Sequence, residues 1–388
     1  MTKAEKLDLL NVSSMQLRLK NLESIIASEK EPPERLPQYA NNHIHTTYSF
    51  SPYSPTAAVY FARQAGLETA GIMDHDSIGG AKEFRKAAEI AGISVTCGLE
   101  CRADMSETPL AGKRFNNPDQ PGIAYMSMHS VMPDKIDFLQ EKFAPLRERR
   151  NARNREMVKR INEIFKPFAV SLDFEKDVLP QSLYEFGGTV TERHLLWALS
   201  GKMIESVGAE GIAELLGKVG IYLPDTQTDK LKSENTDIGY DILAILKANL
   251  TKKIFVPATD ELLTFKELSK LSNEVGSILC YAYLGDVGES VTGDKLPEKY
   301  EDGFLDELFE LLSFEGVKGI TYMPSRNTSA QIKRVQKLAG KYGITEISGE
   351  DVNSPTQSFI CEKLAAPGFE HLVEATWTLI NREKGYKI

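Results

Sequence analysis

The sequence predicts an α/β fold built on parallel strands. Strand and helix patterns alternate from Asn41 to Glu100, and the alternation returns after about Asn249. Strand–helix–strand units at this spacing imply parallel pairing with right-handed crossovers. Histidines and carboxylates lie at the ends of the predicted strands, where such folds place their chemistry. A chain of 388 residues can hold one large barrel with an insertion, or two domains.

An N-terminal helical extension is predicted over residues 1–38. Apolar residues recur at roughly helical spacing from Lys3 to about Lys30, and the segment EPPERLP then breaks the pattern. Because an apolar helix face needs a surface to cover it, we expect this extension to pack on the body of the protein or on a partner.

The first part of the barrel is predicted over residues 39–132. A short strand carries His43 and His45, and the helix that follows has Ser54 as its N-cap and Pro55 in its first turn. The segments TAGIMDHD, ISVTCGLE and IAYMSMHSV are typical of apolar strands. The segment GGAKEFRKAAEIAG predicts a helix between the first two of them.

A mostly helical insertion is predicted over residues 133–249, because long charged segments with helical periodicity dominate there. The alternation resumes over residues 250–365, where SILCYAYLG, GVKGITYMP and YGITEISGED are the last predicted strands. Residues 366–388 are predicted to form a C-terminal helical tail.

Composition excludes several classes of protein. The net charge of -9 argues against a general surface for duplex DNA, although a small cationic or metal-filled pocket could still bind phosphate. None of the four cysteines forms a CxxC pair, which predicts reduced, buried thiols. The N-terminus lacks the apolar core of a signal peptide, and no stretch approaches the roughly 18 apolar residues of a membrane span. We therefore expect a soluble cytoplasmic protein, whose oligomeric state stays open.

Two of the six histidines occur one residue apart, in the stretch HIHTTYSFSPYSP. Side chains alternate between the faces of a strand, so His43 and His45 would project together. Two convergent imidazoles are half of a typical divalent metal site. His75, Glu100 and Asp351 follow at the ends of other predicted strands. Mixed imidazole and carboxylate ligands suit Zn²⁺, Mn²⁺ or Fe²⁺ better than Ca²⁺.

Several ordered features resemble the PHP (polymerase and histidinol phosphatase) superfamily. They are HxH, MDHD, GLE, a later strand histidine and a terminal SGED segment. The longer resemblance, from about Asn42 to Ser354, is to the predicted metal-dependent phosphoesterases of this superfamily, which include nucleotide phosphatases. The segment ERHLLWAL is similar to their RPHxAxAL segment. The resemblance implies a distorted seven-stranded (β/α)7 barrel with two or three divalent metals at its C-terminal end.

The resemblance also implies roles for the candidate ligands. His43 and His45 would bind a first metal together with Asp351. Glu100 would bridge to a second metal, which His129 would hold. We expect two divalent ions, Mn, Fe or Zn, with one or three left open.

His75 would belong to a third, more exposed metal position. His194 would lie at the mouth of the site as a ligand, a phosphate contact or a proton donor. His194 and Asp351 are therefore the candidate catalytic residues.

The implied reaction is hydrolysis of a small phosphomonoester by attack of a metal-bridging hydroxide. The substrate would be a nucleotide or a sugar or metabolite phosphate, with a short oligonucleotide left open. Two alternatives remain: a degenerate member with a partial metal site that binds a phosphorylated ligand, and a non-phosphate hydrolase on the same metal frame.

The sequence departs from the family pattern at three places. The turn after HxH lacks the usual Asp, the final Asp-x-His has lost its His, and the usual Ala-His-Pro is absent. The segments concerned are Ser49-Phe50-Ser51-Pro52, Asp351-Val352-Asn353 and Ala282-Tyr283-Leu284. Asn353, at the position of that His, is the remaining candidate metal ligand there, although an amide oxygen is a weak ligand and adds no charge. We therefore predict that the third site is weak or empty and that a dinuclear site survives.

Two arginines are the candidate substrate contacts. Arg153 belongs to a basic run on a predicted helix of the insertion, and Arg193 adjoins His194. Either could bind phosphate through its guanidinium group. The alternative for the basic run is a solvated helix face with paired charges.

Overall fold

The computed structural model describes residues 1–232, 237–287 and 298–386. Parts of the predicted insertion, the second half of the barrel and the C-terminal tail therefore lie outside the described residues, namely 233–236, 288–297 and 387–388. Among the described residues, no helix has the combination of length and apolarity that crossing a membrane requires.

A single curled sheet forms the centre of the fold, and it contains all seven predicted strands. The strands are β1 (Asn41–Ile44), β2 (Thr69–His75), β3 (Ser94–Asp104), β4 (Ile123–His129), β5 (Leu263–Thr264), β6 (Ile278–Tyr283), β7 (Gly319–Tyr322) and β8 (Thr345–Ser348). The sheet order is β1-β2-β3-β4-β6-β7-β8, and the two-residue β5 pairs with β3. This α/β architecture confirms the predicted seven-stranded barrel of PHP type.

The pairing departs from the expected parallel pattern at one strand. β4 runs antiparallel to both of its neighbours, β3 and β6, while the other strand pairs are parallel. β3 continues beyond the end of β2, so Glu100 lies within β3 rather than at its end. Pairing places Glu100 beside His75 on one side and Ser127 on the other. The same register brings His129, at the end of β4, back beside the middle of β3.

The barrel is closed by the segment that follows β8. Val352 pairs with β1: its N–H donates to the His43 carbonyl at 3.1 Å, and the His45 N–H donates to the Val352 carbonyl at 3.0 Å. Gly349 permits this close approach, because a Cβ there would lie 2.6 Å from the His43 Cβ. The closure brings Asp351 next to the HxH strand.

Helices cover the outside of the sheet. They are α3 (Pro55–Gln64), α4 (Ala81–Ala91), α9 (Phe265–Glu274), α10 (Leu305–Phe314), α11 (Ser329–Tyr342) and α12 (Glu370–Glu383). The predicted start of α3 is confirmed, since the Ser54 side chain accepts from the Ala57 N–H and Pro55 lies in the first turn. The four cysteines are free and buried, as predicted.

The N-terminal extension consists of two helices rather than one. α1 (Lys3–Leu10) and α2 (Met15–Ala27) are capped separately by Thr2 and Ser14, because the serine in the sequence NVSS offers the chain a second N-cap. Both helices pack on the body, where Leu10, Leu22 and Ile25 are buried in the barrel's hydrophobic core. Packing in cis is one of the two predicted possibilities.

The insertion is mostly helical and has a hydrophobic core of its own. Its helices are α5 (Ile136–Phe165), α6 (Glu192–Lys218, with a break at Gly208), α7 (Asp225–Lys232) and α8 (Ile238–Ile254). Phe50, from the turn after β1, packs in this second core. The insertion is thereby fixed over the C-terminal end of β1.

Candidate metal centre and cavity

The paired histidines converge with Glu100, as the strand pattern predicts. One ligand atom from each of His43, His45 and Glu100 lies within 4.8 Å of the others. Glu100 Oε2 lies 3.7 Å from His43 Nε2 and 3.0 Å from His75 Nδ1. His43, His75 and Glu100 lie in β1, β2 and β3, and His45 directly follows β1, so the sheet itself positions the cluster.

Asp351 joins the cluster from the closing segment. Its Oδ1 lies 3.2 Å from His45 Nε2, and its side chain is 40% exposed to the cavity. The structure therefore brings together five of the predicted ligands: His43, His45, His75, Glu100 and Asp351.

A buried hydrogen-bond network orients the His45 ring. Asp74 Oδ1 accepts from Ser49 Oγ at 2.6 Å and from the Thr46 N–H at 2.7 Å. Since the single Ser49 hydroxyl proton goes to this carboxylate, Ser49 Oγ accepts from His45 Nδ1 at 3.2 Å. With Nδ1 engaged by Ser49, Nε2 is the ring atom that His45 directs to Asp351 Oδ1, 3.2 Å away.

His129 holds an imidazole nitrogen that is unpartnered within the described part of the chain. The ring is 1% exposed, and its Nε2 is buried without a partner among the described residues. Burial, with the nearby His43, lowers the pKa of His129 to about 3, so the ring stays neutral and can offer a lone pair. An unpartnered buried imidazole nitrogen beside a histidine–carboxylate cluster fits a divalent metal ion.

Electrostatics keep Glu100 ionised in spite of its burial. Burial alone would raise the pKa of Glu100, but His75 and His43 outweigh it and hold that pKa well below its usual range. A carboxylate that stays charged between two imidazoles is the group type that bridges metal ions in hydrolytic centres.

Replacing Ser49 with Ala is expected to lower metal affinity by about 10–100-fold, because His45 loses the partner that fixes its tautomer. Isothermal titration with Mn²⁺ would measure the change. Ser51→Ala, in the same turn, is the matched control and should bind the ion like the unchanged protein. Equal affinities for both variants would contradict the role assigned to Ser49.

Asn353 lies at the cluster but does not offer its amide oxygen to it. Asn353 Oδ1 accepts from Arg193 Nη1 at 2.7 Å, and its amide nitrogen donates to Asp351 Oδ1. Its role as a metal ligand stays a prediction, and its Oδ1 already accepts one hydrogen bond from Arg193.

His194 lies apart from the cavity surface. It is 3% exposed, its Nδ1 accepts from the Thr191 N–H at 3.0 Å, and its ring packs edge-on against Phe50 at 5.1 Å. Burial, with Arg150 nearby, lowers the pKa of His194 to about 3. The geometry shows a helix-capping and packing role, and the catalytic role stays a prediction.

A cavity of about 660 Å³ opens from the metal-ligand cluster towards the insertion. Both predicted substrate contacts, Arg153 and Arg193, line it. Arg153 is not on a solvated face: it is 9% exposed, its Nε donates to Glu261 Oε2 at 2.9 Å, and it also donates to the Val256 carbonyl at 3.1 Å. Arg102 pairs with the other oxygen of Glu261.

Arg150 belongs to the basic run and lines the cavity, but it was not one of the two predicted substrate contacts. It is 8% exposed and donates to Asp76 Oδ2, and its Nε has no partner among the described residues. The polar residues of α5 that the structure buries recur at helical spacing and mark one face of the helix. They are Arg147, Arg150, Asn151, Arg153 and Asn154.

Glu301 is a buried acid beside the segment that replaces the family's Ala-His-Pro. It is 0% exposed, and its Oε1 accepts from the N–H groups of Leu284 and Gly285 at 2.7 and 3.0 Å. Burial raises the pKa of Glu301 to about 7, against these two hydrogen bonds.

Because the folded-state pKa of Glu301 lies above the unfolded value, its contribution to stability is full below about pH 4.5 and is lost as pH rises through about 7. Glu301→Gln should remove this dependence, which amounts to at most about 3 kcal/mol. Urea unfolding at pH 5 and pH 8 would measure it. If the free energy of unfolding changed with pH by the same amount in Glu301→Gln and in the unchanged protein, another group would be responsible for the pH dependence.

Comparison with known proteins agrees with this fold. Residues 41–161 match the sequence model of the PHP domain. This confirms the predicted resemblance over that segment, which contains His43, His45, His75, Glu100 and His129. No curated protein matches the chain significantly.

Two solved structures share the fold along most of the chain. A presumed metal-dependent phosphoesterase from Bifidobacterium adolescentis is 20% identical with a TM-score of 0.53, covering 90% of this chain and 98% of its own. An amidohydrolase from Chromobacterium violaceum, solved with bound sulfate and no metal, is 14% identical with a TM-score of 0.56, covering 87% of this chain and 96% of its own. The helical insertion is therefore part of a fold that these proteins share.

Proposed function

We propose that this protein is a metal-dependent phosphoesterase that hydrolyses small phosphomonoesters. The observation that carries the proposal is the convergence of His43, His45 and Glu100 within 4.8 Å, inside a PHP domain. The likeness to a presumed metal-dependent phosphoesterase supports the fold of this centre.

The chain offers a ligand set that suits divalent ions. His43, His45 and Asp351 would hold one ion, and Glu100 would reach a second one together with His129. Bound divalent ions at such a centre supply an acidified water nucleophile and stabilise charge on the phosphoryl oxygens. Since the ligand set mixes imidazole and carboxylate, Mn, Fe or Zn is the expected metal.

The chain's own residues would bind and orient the phosphoryl group. Arg150 and Arg153 line the cavity beside the cluster, and Asp76 and Glu261 hold their guanidinium groups in place. Each guanidinium group carries five N–H donors, more than these contacts use, so donors remain for phosphate oxygens. A guanidinium fixed in advance loses little freedom when it binds an anion.

The far wall of the cavity would bind the remainder of the substrate. Tyr240, Leu243 and Ala244 of α8 line it, and Tyr240 packs against Trp197 with ring centroids 4.7 Å apart. A cavity of about 660 Å³ is in the size range of sites for small organic ligands. A nucleotide or a sugar or metabolite phosphate would fit this combination of a charged end and a partly apolar wall.

The first test is elemental analysis of protein purified without chelator, followed by turnover of a phosphomonoester panel. The panel contains nucleoside monophosphates, sugar phosphates and short oligonucleotides, with amide substrates as the comparison. Two Mn, Fe or Zn ions per chain and release of inorganic phosphate would support the proposal. Turnover of amides alone would replace it with C–N bond hydrolysis, and metal binding without turnover would replace it with a ligand-binding role.

A further inference from the structure

The mouth of the metal centre holds an arginine in contact with Asn353. Arg193 Nη1 donates to Asn353 Oδ1 at 2.7 Å, and the Asn353 amide nitrogen donates to Asp351 Oδ1. Because a guanidinium group can only donate and a carboxylate can only accept, the amide has one allowed orientation between them. The pair therefore extends a positive charge to the edge of the metal-ligand cluster through one neutral side chain.

Phe50 lies beside the same arginine. This residue stands in the turn after HxH, and its side chain packs in the hydrophobic core of the insertion. The Arg193 guanidinium carbon lies 6.0 Å from the centre of the Phe50 ring, and the Trp197 ring centre lies 6.1 Å from the Phe50 ring centre. In this turn an aromatic ring contacts Arg193. The turn has no carboxylate that could bind a metal ion.

These contacts join two separate departures from the family pattern. The position of the final histidine holds Asn353, and the turn that usually carries an aspartate holds Phe50 and Ser51. Arg193 donates a hydrogen bond to Asn353 and lies over the ring of Phe50. In the segment similar to RPHxAxAL, Arg193 stands at the position of the proline, so the arginine is a further departure at the same place.

We propose that the Arg193–Asn353 pair takes the place of the third metal ion, so that the centre holds at most two. The amide oxygen that could ligate a metal is bound to the arginine, and the fixed positive charge of Arg193 repels a further cation. Arg193 is a positioning residue for Asn353 and, through it, for Asp351. The inference rests on the proposed metal centre but not on phosphoester hydrolysis.

The charge of Arg193 predicts that adding a carboxylate and an imidazole alone will not add a bound ion. Ser51→Asp with Asn353→His supplies a carboxylate and an imidazole, but it leaves the guanidinium group in place. We expect this double variant to bind as many Mn²⁺ ions per chain as the unchanged protein. Adding Arg193→Ala should raise the count by one ion, whereas adding Arg193→Lys, which keeps the charge, should not.

The measurement is equilibrium binding of Mn²⁺ read by electron paramagnetic resonance, with circular dichroism to confirm that each variant is folded. An extra ion in the double variant, or none after Arg193→Ala, would overturn the inference. If the variants do not fold, saturation of the unchanged protein decides: a third bound ion overturns the inference and a limit of two supports it. If the Mn²⁺ counts are as expected but the protein shows no phosphatase activity, only the proposed function is contradicted.

Discussion

Replacing Glu100 with Gln is expected to lower kcat/KM for a phosphomonoester by at least about 10³-fold, or about 4 kcal/mol of transition-state stabilisation. Glutamine has the same shape but no charge, and its amide binds divalent ions weakly. Glu100 is the carboxylate that lies between His43 and His75, so its loss removes the negative charge at the centre of the cluster. Steady-state kinetics and elemental analysis of the same preparation would measure the effect.

The matched control for this variant is Glu175→Gln. Glu175 lies in the insertion with 54% of its side chain exposed and pairs with Arg155, so its change should leave turnover and metal content as they are. A Glu100→Gln protein that is folded, holds its ions and turns over at the unchanged rate would remove the proposed function. A protein that holds its ions but loses turnover would assign Glu100 a role beyond metal binding.

The strands and their order along the chain were predictable, because their signal is local. TAGIMDHD, ISVTCGLE and IAYMSMHSV are apolar runs of strand length, and each became a strand. The direction of β4 was not predictable in the same way. An antiparallel neighbour depends on which strands pair, and the pattern of a single segment does not contain that information.

The convergence of the metal-ligand cluster was predictable from the family resemblance and the strand pattern. The state of individual side chains was not, because their partners are distant in sequence. Asn353 is oriented by Arg193, which lies 160 residues away, and His194 is covered by Phe50 of the barrel. A residue's type and its local pattern predict that it is near a site, but hydrogen-bond geometry decides which atom it presents.

The basic helix α5 shows how burial changes the meaning of a charge run. The sequence of α5 alone is typical of a solvated helix face with paired charges. In the structure Arg150 and Arg153 are buried against carboxylates of other elements, Asp76 and Glu261. A buried arginine is costly to desolvate unless a carboxylate pairs with it. The two arginines of the cavity wall therefore each have an acidic partner.

Replacing Arg18 with Met is expected to lower the free energy of unfolding by about 3–5 kcal/mol, because it leaves a buried carboxylate unpaired. Arg18 Nε and Nη2 both donate to Glu83, and the two side chains are 8% and 1% exposed. Glu83 also accepts from Thr56 at the start of α3. This one ion pair therefore ties the N-terminal extension to the two helices that flank β2, the strand that carries His75.

The control and the rescue separate loss of charge pairing from loss of packing at Arg18. Lys82→Met breaks an exposed pair with Asp137 and should change stability by less than about 1 kcal/mol. Arg18→Met combined with Glu83→Gln removes the buried charge but keeps an acceptor for Thr56, so it should be more stable than Arg18→Met alone. Urea unfolding of the variants measures the differences. If the double variant were no more stable than the single one, lost packing rather than the unpaired Glu83 charge would be the cause.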